Sequence, residues 1–465
     1  MRNRPLRALA LTAAGALLVA APLALAAPAQ KPITFRHVVL DDQKNYGEPS
    51  LELAPDGKHI AVCVPGGTGE TSVWYSSNGG KSFQTSHTNS ANGGGDCELD
   101  FLPNGTLLNA DLEVTDSAIH YSKDFGKTWK AAQAAGIEQD RQWFAHSKDG
   151  KTVYLVYHDF VAEAELYAQS NDGGVTWPKE LSAQPVTNVD MLALPGAGAG
   201  QPASLIDQGV NTFSGPMLIS PDQKDMYVLY GISDARHNLL DGTPPFGHPT
   251  SIVVAHKGLE DSGFSNRVAV PADGNTVNLT SFPSGSVDKA GNVYVIYTSD
   301  KGAPGHFHTY FIVSRDHGAH WSRPVKVDDA PLPKGAQVFA TGQAGAPGVL
   351  DIAWYGADNG TGPNDKSSVW KVHFAQVRGA LSSRPSITRS VVWSKPNHRG
   401  DICLNGLLCE LGGDRSLLDF FELRIGKDGM AQVAYADNDG FGPATAKKGR
   451  VIWAKQTSGR SAWTP

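Results

Sequence analysis

A chain of 465 residues with 40 Lys and Arg against 46 Asp and Glu has a formal charge of −6, and it contains no basic block able to track a phosphate backbone. Nucleic acid is therefore excluded as an expected partner. After the first 26 residues no stretch approaches the ~18 apolar residues of a membrane span, so none is expected.

Residues 1–26 read as a signal peptide. Arg2, Arg4 and Arg7 precede an apolar run from Ala8 to Leu25, and Ala24-Leu25-Ala26 supplies a small-residue cleavage site. The remainder, 27–465, is expected to be exported to the periplasm or beyond the cell. In that oxidising setting the four cysteines read as disulfides rather than metal ligands. Of the three pairings that four cysteines allow, the short Leu404–Leu408 spacer favours Cys403 with Cys409, which leaves Cys63 with Cys97.

Ile33 to Leu40 reads as a lone strand, and two repeats follow it. The first is Ser, any, Asp or Asn, any, Gly, two residues, then an aromatic: Ser76-Asn78-Gly80-Phe83, Ser122-Asp124-Gly126-Trp129, Ser170-Asp172-Gly174-Trp177 and Ser314-Asp316-Gly318-Trp321. The acidic or amide side chain can bond the turn's own amides, the glycine supplies a positive φ, and the aromatic anchors the turn from beneath. The starts lie 46, 48 and 144 residues apart, which leaves room for two degenerate copies between the third and fourth.

The second repeat is an apolar strand, a polar turn and another apolar strand. It recurs seven times, at the turns Pro55-Asp56-Gly57, Pro103-Asn104-Gly105, Lys148-Asp149-Gly150, Pro221-Asp222, Lys289-Ala290-Gly291, Ala346-Pro347-Gly348 and Lys427-Asp428-Gly429. Two hairpins per unit make a four-stranded blade, so the expected fold is all-β, a single closed propeller of seven blades, with six as the alternative count. The last unit stops at Val451–Lys455, one strand short, and the N-terminal strand would complete it and leave no open edge.

The Ser-x-Asp-x-Gly boxes resemble the Asp-box (BNR) repeats of sialidases and other secreted propellers, and the resemblance covers nearly the whole mature chain as architecture. It implies that the boxes serve structure on the face opposite the active site. It further implies a sialidase-like glycoside hydrolase acting on glycans that carry an acidic sugar. Such enzymes hold the substrate carboxylate with three arginines and use a tyrosine nucleophile assisted by a glutamate, with an aspartate as acid/base. This chain departs from the pattern at the early Phe/Tyr-Arg-Ile-Pro motif: it reads Tyr46-Gly47-Glu48-Pro49-Ser50, with Glu48 where the first arginine stands.

Long inserts at Gln184–Phe213, Gly231–Pro249, Ser299–Phe307, Gly356–Ser367 and Arg378–Leu418 fall on the opposite, upper rim, the expected binding face. Strand starts and ends pointing there supply the candidate catalytic set Asp140, Arg141, His158, Asp159, Tyr355 and Arg415. The candidate substrate-binding set is Glu48, Asp96, Tyr157, Tyr297 and Asp414, with Asp419 beside them and Arg236 or Arg399 as a third arginine. Carboxylates, arginines and aromatic faces in one mouth suit a sugar.

Competing readings accompany these assignments. Asp140-Arg141 and Asp414-Arg415 also read as ion pairs locking adjacent blades, and the tyrosines as caps on blade cores. Asp437-Asn438-Asp439-Gly440 lacks the spaced ligands of a calcium loop, so no metal or cofactor is expected. The partner is expected to be a glycan or oligosaccharide bound by a monomer. The functional alternatives are a polysaccharide lyase on uronate glycans using His158, Tyr157 and Arg141, or a non-catalytic propeller binding glycan or protein.

Overall fold

The computed structural model describes residues 32–465 apart from 42–46, 67–70, 89–93, 114–116, 133–138, 160–163, 179–183, 188–209, 235–249, 274–275, 281, 331–334, 358, 360–361, 405–408, 410–412 and 440–448. The signal-peptide assignment, Arg236 and most of the inserts Gln184–Phe213 and Gly231–Pro249 fall outside the described residues.

Seven antiparallel sheets follow one another along the chain. Blade one is β2 (Ser50–Leu53), β3 (Ile60–Val64), β4 (Ser72–Ser76) and β5 (Gln84–His87); β1 (Phe35–Asp41) precedes it. Blade two is β6 (Cys97–Phe101), β7 (Leu107–Leu112), β8 (Ser117–Ser122) and β9 (Lys130–Ala131). Blade three is β10 (Gln139–His146), β11 (Val153–Asp159), β12 (Ala164–Ser170) and β13 (Gln184–Pro185). Blade four is β14 (Val210–Ile219), β15 (Asp225–Asp234), β16 (Thr250–Gly258) and β17 (Ser265–Val270).

Blade five is β18 (Ser284–Val287), β19 (Val293–Ser299), β20 (His308–Ser314) and β21 (Val325–Lys326). Blade six is β22 (Gln337–Ala344), β23 (Val349–Gly356), β24 (Val369–Arg378) and β25 (Ser386–Val391), with β26 (His398–Arg399) also paired to β24. Blade seven is β27 (Glu422–Ile425), β28 (Ala431–Asp437) and β29 (Arg450–Gln456). Its fourth strand is β1, whose Phe35 pairs with Gln456 and Val39 with Ile452, so the N-terminal strand closes the ring as the sequence anticipates.

Each of the seven polar turns joins the first two strands of one blade, which fixes the count at seven. The box spacing misleads at one point. Only blade four, not two units, lies between the boxes at Ser170 and Ser314, because long inserts flank its strands.

In the boxes the serine hydroxyl donates to the Asp or Asn Oδ1, at 3.0 Å in Ser76-Asn78 and 2.7 Å in Ser122-Asp124, and accepts the amide of Gly80 or Gly126. A Cβ at Gly80 would stand 2.1 Å from the Trp453 ring, so glycine there also lets the previous blade pack beneath the turn. The apolar core lies between blades rather than within them. Leu108 and Ala110 of blade two, for example, pack with Val153, Leu155 and Trp177 of blade three.

Cys63 on β3 bridges Cys97 on β6, tying blade one to blade two at a Cα separation of 6.3 Å, and Cys403 bridges Cys409. Both pairs are those expected from the spacing. Among the described residues no helix is long and apolar enough to cross a membrane.

Candidate active site at the propeller mouth

The innermost strand of each blade runs down the central channel, so polar residues at alternate positions project into it in layers. Glu48, Ser50 and Glu52 come from blade one, Asp96, Glu98 and Asp100 from blade two, and Glu422 and Arg424 from blade seven. This period of two was the sequence signal for Glu52, Glu422 and Arg424, all absent from the expected site, whereas Glu98 is legible as a leading polar residue of its inner strand.

The top layer gathers Glu48, Asp96, Asp140, Asp419, Arg415 and His158. Glu48 precedes β2 with a left-handed backbone, φ 47°, and accepts the Asp419 amide on Oε1 at 2.9 Å. Its carboxyl also hydrogen-bonds that of Asp96. A neighbouring negative charge this close favours the protonated form of Glu48. Burial, together with the charges of Asp96 and Asp419, pushes Glu48 well above the usual carboxylate range, and Arg415 offsets this only in part. Asp140 is pushed up to about 7, by burial first and by Asp96 second, with His158 acting in the opposite sense.

Arg415 pairs with Asp419 Oδ2, and Asp419 and Glu48 together overcome burial to raise its pKa. Asp419 Oδ1 and Arg415 Nε remain buried without a partner among the described residues. His158 lies across the strand pair from Asp140, with Nδ1 3.2 Å from Glu165 Oε1 and 3.1 Å from Thr212 Oγ1.

Beneath the mouth, the Arg141 guanidinium is fully enclosed, 2.9 Å from Glu98 and between the rings of Trp143 and Phe420, at 3.6 and 4.0 Å from their centroids. Ser50 Oγ reaches both Glu98 and Glu422, at 3.3 and 3.1 Å. Deeper still, Arg424 pairs with Glu52 at 2.6 Å and Glu422 at 3.1 Å. Burial raises Glu98 to about 8 and Glu52 to about 7. A cavity of about 160 Å³, lined in part by Glu98, Trp143, Phe282, Phe420 and Glu422, runs through this wall.

The mouth thus brings together six of the residues singled out from sequence, while others stand elsewhere. Arg141 is buried in the channel wall instead of facing a ligand. Tyr157, Tyr297 and Tyr355 are 1, 4 and 0 % exposed and belong to the inter-blade cores. The Tyr355 hydroxyl accepts the Ala436 amide at 3.1 Å, so its polar end is satisfied inside. Asp414 accepts the Ser416 amide at 3.0 Å and faces His398 beside the Cys403 loop. Asp159 ends β11 opposite Ala164, one residue beyond His158. Arg399 is committed to Asp439 at 2.6 Å on the surface.

The BNR/Asp-box repeat family matches residues 120–131, the box of blade two. No curated protein matches the chain. Among solved structures, an ulvan lyase, a polysaccharide lyase, is similar at 12% identity over 90% of this chain and 95% of that one, with a TM-score of 0.54. A second structure of it, bound to -[GlcA(1-4)Rha3S]-, gives 0.53 over the same shares. An α-L-arabinofuranosidase from Fusarium graminearum gives 0.45 at 12% identity, over 91% of this chain and 97% of that one. At these identities the likeness is one of fold: the chain is an Asp-box β-propeller.

Proposed function

We propose that the chain is a carbohydrate-active propeller that hydrolyses a glycosidic bond at this mouth. The observation that carries the reading is the buried Glu48 carboxyl, raised in pKa by burial and by the neighbouring charges of Asp96 and Asp419, beside the further carboxyl of Asp140. Glycoside hydrolysis needs one carboxyl that keeps its proton near neutral pH and one that does not. Glu48 would deliver its proton to the leaving oxygen as the C–O bond breaks. A neighbouring ionised carboxylate would steady the oxocarbenium-like centre and accept the proton of the attacking water. Arg415 and His158 would orient hydroxyls of the sugar.

The acidic sugar implied by the sialidase resemblance needs cations. Among the described residues the mouth has one guanidinium, Arg415, and Asp419 already holds it. Four carboxyls against that single arginine and one histidine favour a neutral or amino sugar. Export is supported by the two disulfides, and we read the protein as a periplasmic or extracellular monomer that meets glycan.

The test is sugar release by the purified mature chain from aryl glycosides and oligosaccharides of neutral, amino and acidic sugars. Hydrolysis lost in Glu48→Gln is the expected result. Unsaturated, ultraviolet-absorbing ends would instead make the protein a lyase, like the ulvan lyase whose fold it shares. Silence on every substrate would leave a binding propeller.

A further inference from the structure

A second cluster lies on the opposite, Asp-box face, at the seam between blades four and five. Asp225 opens β15, His256 near the end of β16 pairs with Tyr227 and so stands diagonally across from Asp225, and His317 comes from the box turn of blade five. His256 Nε2 is 2.7 Å from Asp225 Oδ1, and His317 Nδ1 is 3.4 Å from Oδ2 of the same carboxylate. Among the described residues, these three offer ligand atoms that all lie within 4.8 Å of one another.

The position of His317 has its own explanation in the box geometry. The residue before the second box glycine takes a left-handed backbone in every copy: Gly79 at φ 72°, Phe125 at 63°, Gly173 at 76° and His317 at 58°. Glycine meets that demand in blades one and three. Where a side chain is present it reaches back over the preceding blade. Phe125 stacks on His59 of blade one, at 3.7 Å between centroids. His317 makes the same reach, but delivers an imidazole to Asp225 and to the Tyr227 hydroxyl, 2.9 Å from Nδ1. A strained position is thus occupied by a ligand-type residue aimed at a second imidazole and a carboxylate.

We propose that Asp225, His256 and His317 form a binding site for a divalent transition ion of the zinc class, clamping blade four to blade five. Two imidazoles and one carboxylate are a donor set that suits zinc, leaving a fourth position for water. Ligands around a tetrahedral ion with bonds of about 2.0–2.1 Å stand roughly 3.3 Å apart, and the two imidazole–carboxylate separations, 2.7 and 3.4 Å, lie on either side of that. His317 is 58 % exposed while Asp225 is 14 % exposed, so the ion would enter from solvent onto a partly sheltered carboxylate. All four cysteines are in disulfides, so thiolates do not compete for it. The site lies away from the mouth and is independent of the proposed chemistry there.

The experiment is calorimetric titration of ZnCl2 into the EDTA-stripped mature chain, repeated with Co2+ to read its visible absorption. The variants are His317→Phe, the residue blade two carries at this position, and His317→Gly, the residue of blades one and three. One Zn2+ per wild-type chain is expected, with affinity weakened at least about tenfold in either variant. Absence of one-equivalent binding in the wild type, or equal affinity in the folded variants, would overturn the proposal.

Discussion

Arg141 Nη2 donates to Glu98 Oε2 at 2.9 Å across the seam of blades two and three, with 0 and 3 % of the two side chains exposed. The register of β10 slips between Asp140 and Trp143, and Arg141 takes φ 37° in that bulge. The bulge turns the guanidinium into the channel wall, where it is a structural cation.

Arg141→Met should therefore cost on the order of 3–5 kcal/mol, because it strands the Glu98 carboxyl in a buried site. Glu98 takes up its proton as pH falls, so the cost should be larger above pH 8 than below it. Arg141→Met with Glu98→Gln should recover most of the loss. Urea unfolding of the two single variants and the pair checks this. An unchanged midpoint in Arg141→Met, with only KM raised, would mean that the arginine meets substrate instead.

The two disulfides should differ in weight. Cys63 and Cys97 are 34 residues apart and Cys403 and Cys409 only 6. On loop-closure entropy the first contributes about 4 kcal/mol and the second about 2. Replacing each pair by alanine and comparing unfolding midpoints tests the order. The longer bridge also joins two blades, so its loss should loosen the start of the ring first.

Much of this architecture was legible because local chemistry repeats. Seven polar turns, four boxes, a lone strand at the start and a last unit one strand short specify blade number and closure without any long-range information. Blade four was miscounted because the turn between β16 and β17 carries no Ser-x-Asp-x-Gly box and its inserts triple the spacing. The mouth was half legible: Glu48, Asp96 and Asp140 sit at strand starts, where position along the chain predicts location, and Arg415 lies in the segment leading into β27. Arg141 was singled out, both for the mouth and as a blade-locking cation, but its turn into the wall toward Glu98 was not legible, because a bulge breaks the period of two and has no fixed signature in one sequence. Tyr157, Tyr297 and Tyr355 end second strands as expected, but their rings turn between blades, where the aromatic area is buried.

A buried acid far from the mouth gives a pH signature. Asp351 on β23 accepts Gln376 Nε2 at 3.0 Å on one oxygen, the other lacks a partner among the described residues, and burial raises its pKa from 3.8 to about 7. The folded state then binds a proton that the unfolded chain releases near pH 4, so stability falls as pH rises from about 4 to about 7. Asp351→Asn should remove this loss and stabilise the protein at pH 8 by about 2–4 kcal/mol relative to wild type. At pH 4 the two should melt together. Thermal unfolding at the two pH values decides it, and equal midpoints at pH 8 would show that the carboxylate is satisfied.

The central claim is that Glu48 keeps a proton and donates it. Gln retains an oxygen for the Asp419 amide and fills the same space, so Glu48→Gln should fold and, by the same linkage as at Asp351, melt no lower than wild type at neutral pH. The decisive measurement is the pH profile of kcat/KM for wild type and Glu48→Gln on the best substrate of the glycoside panel. The account predicts a wild-type rate that falls as pH rises through the raised Glu48 pKa, and a variant slower by about 100-fold or more with that alkaline limb gone. A variant that keeps both the rate and the limb would contradict it.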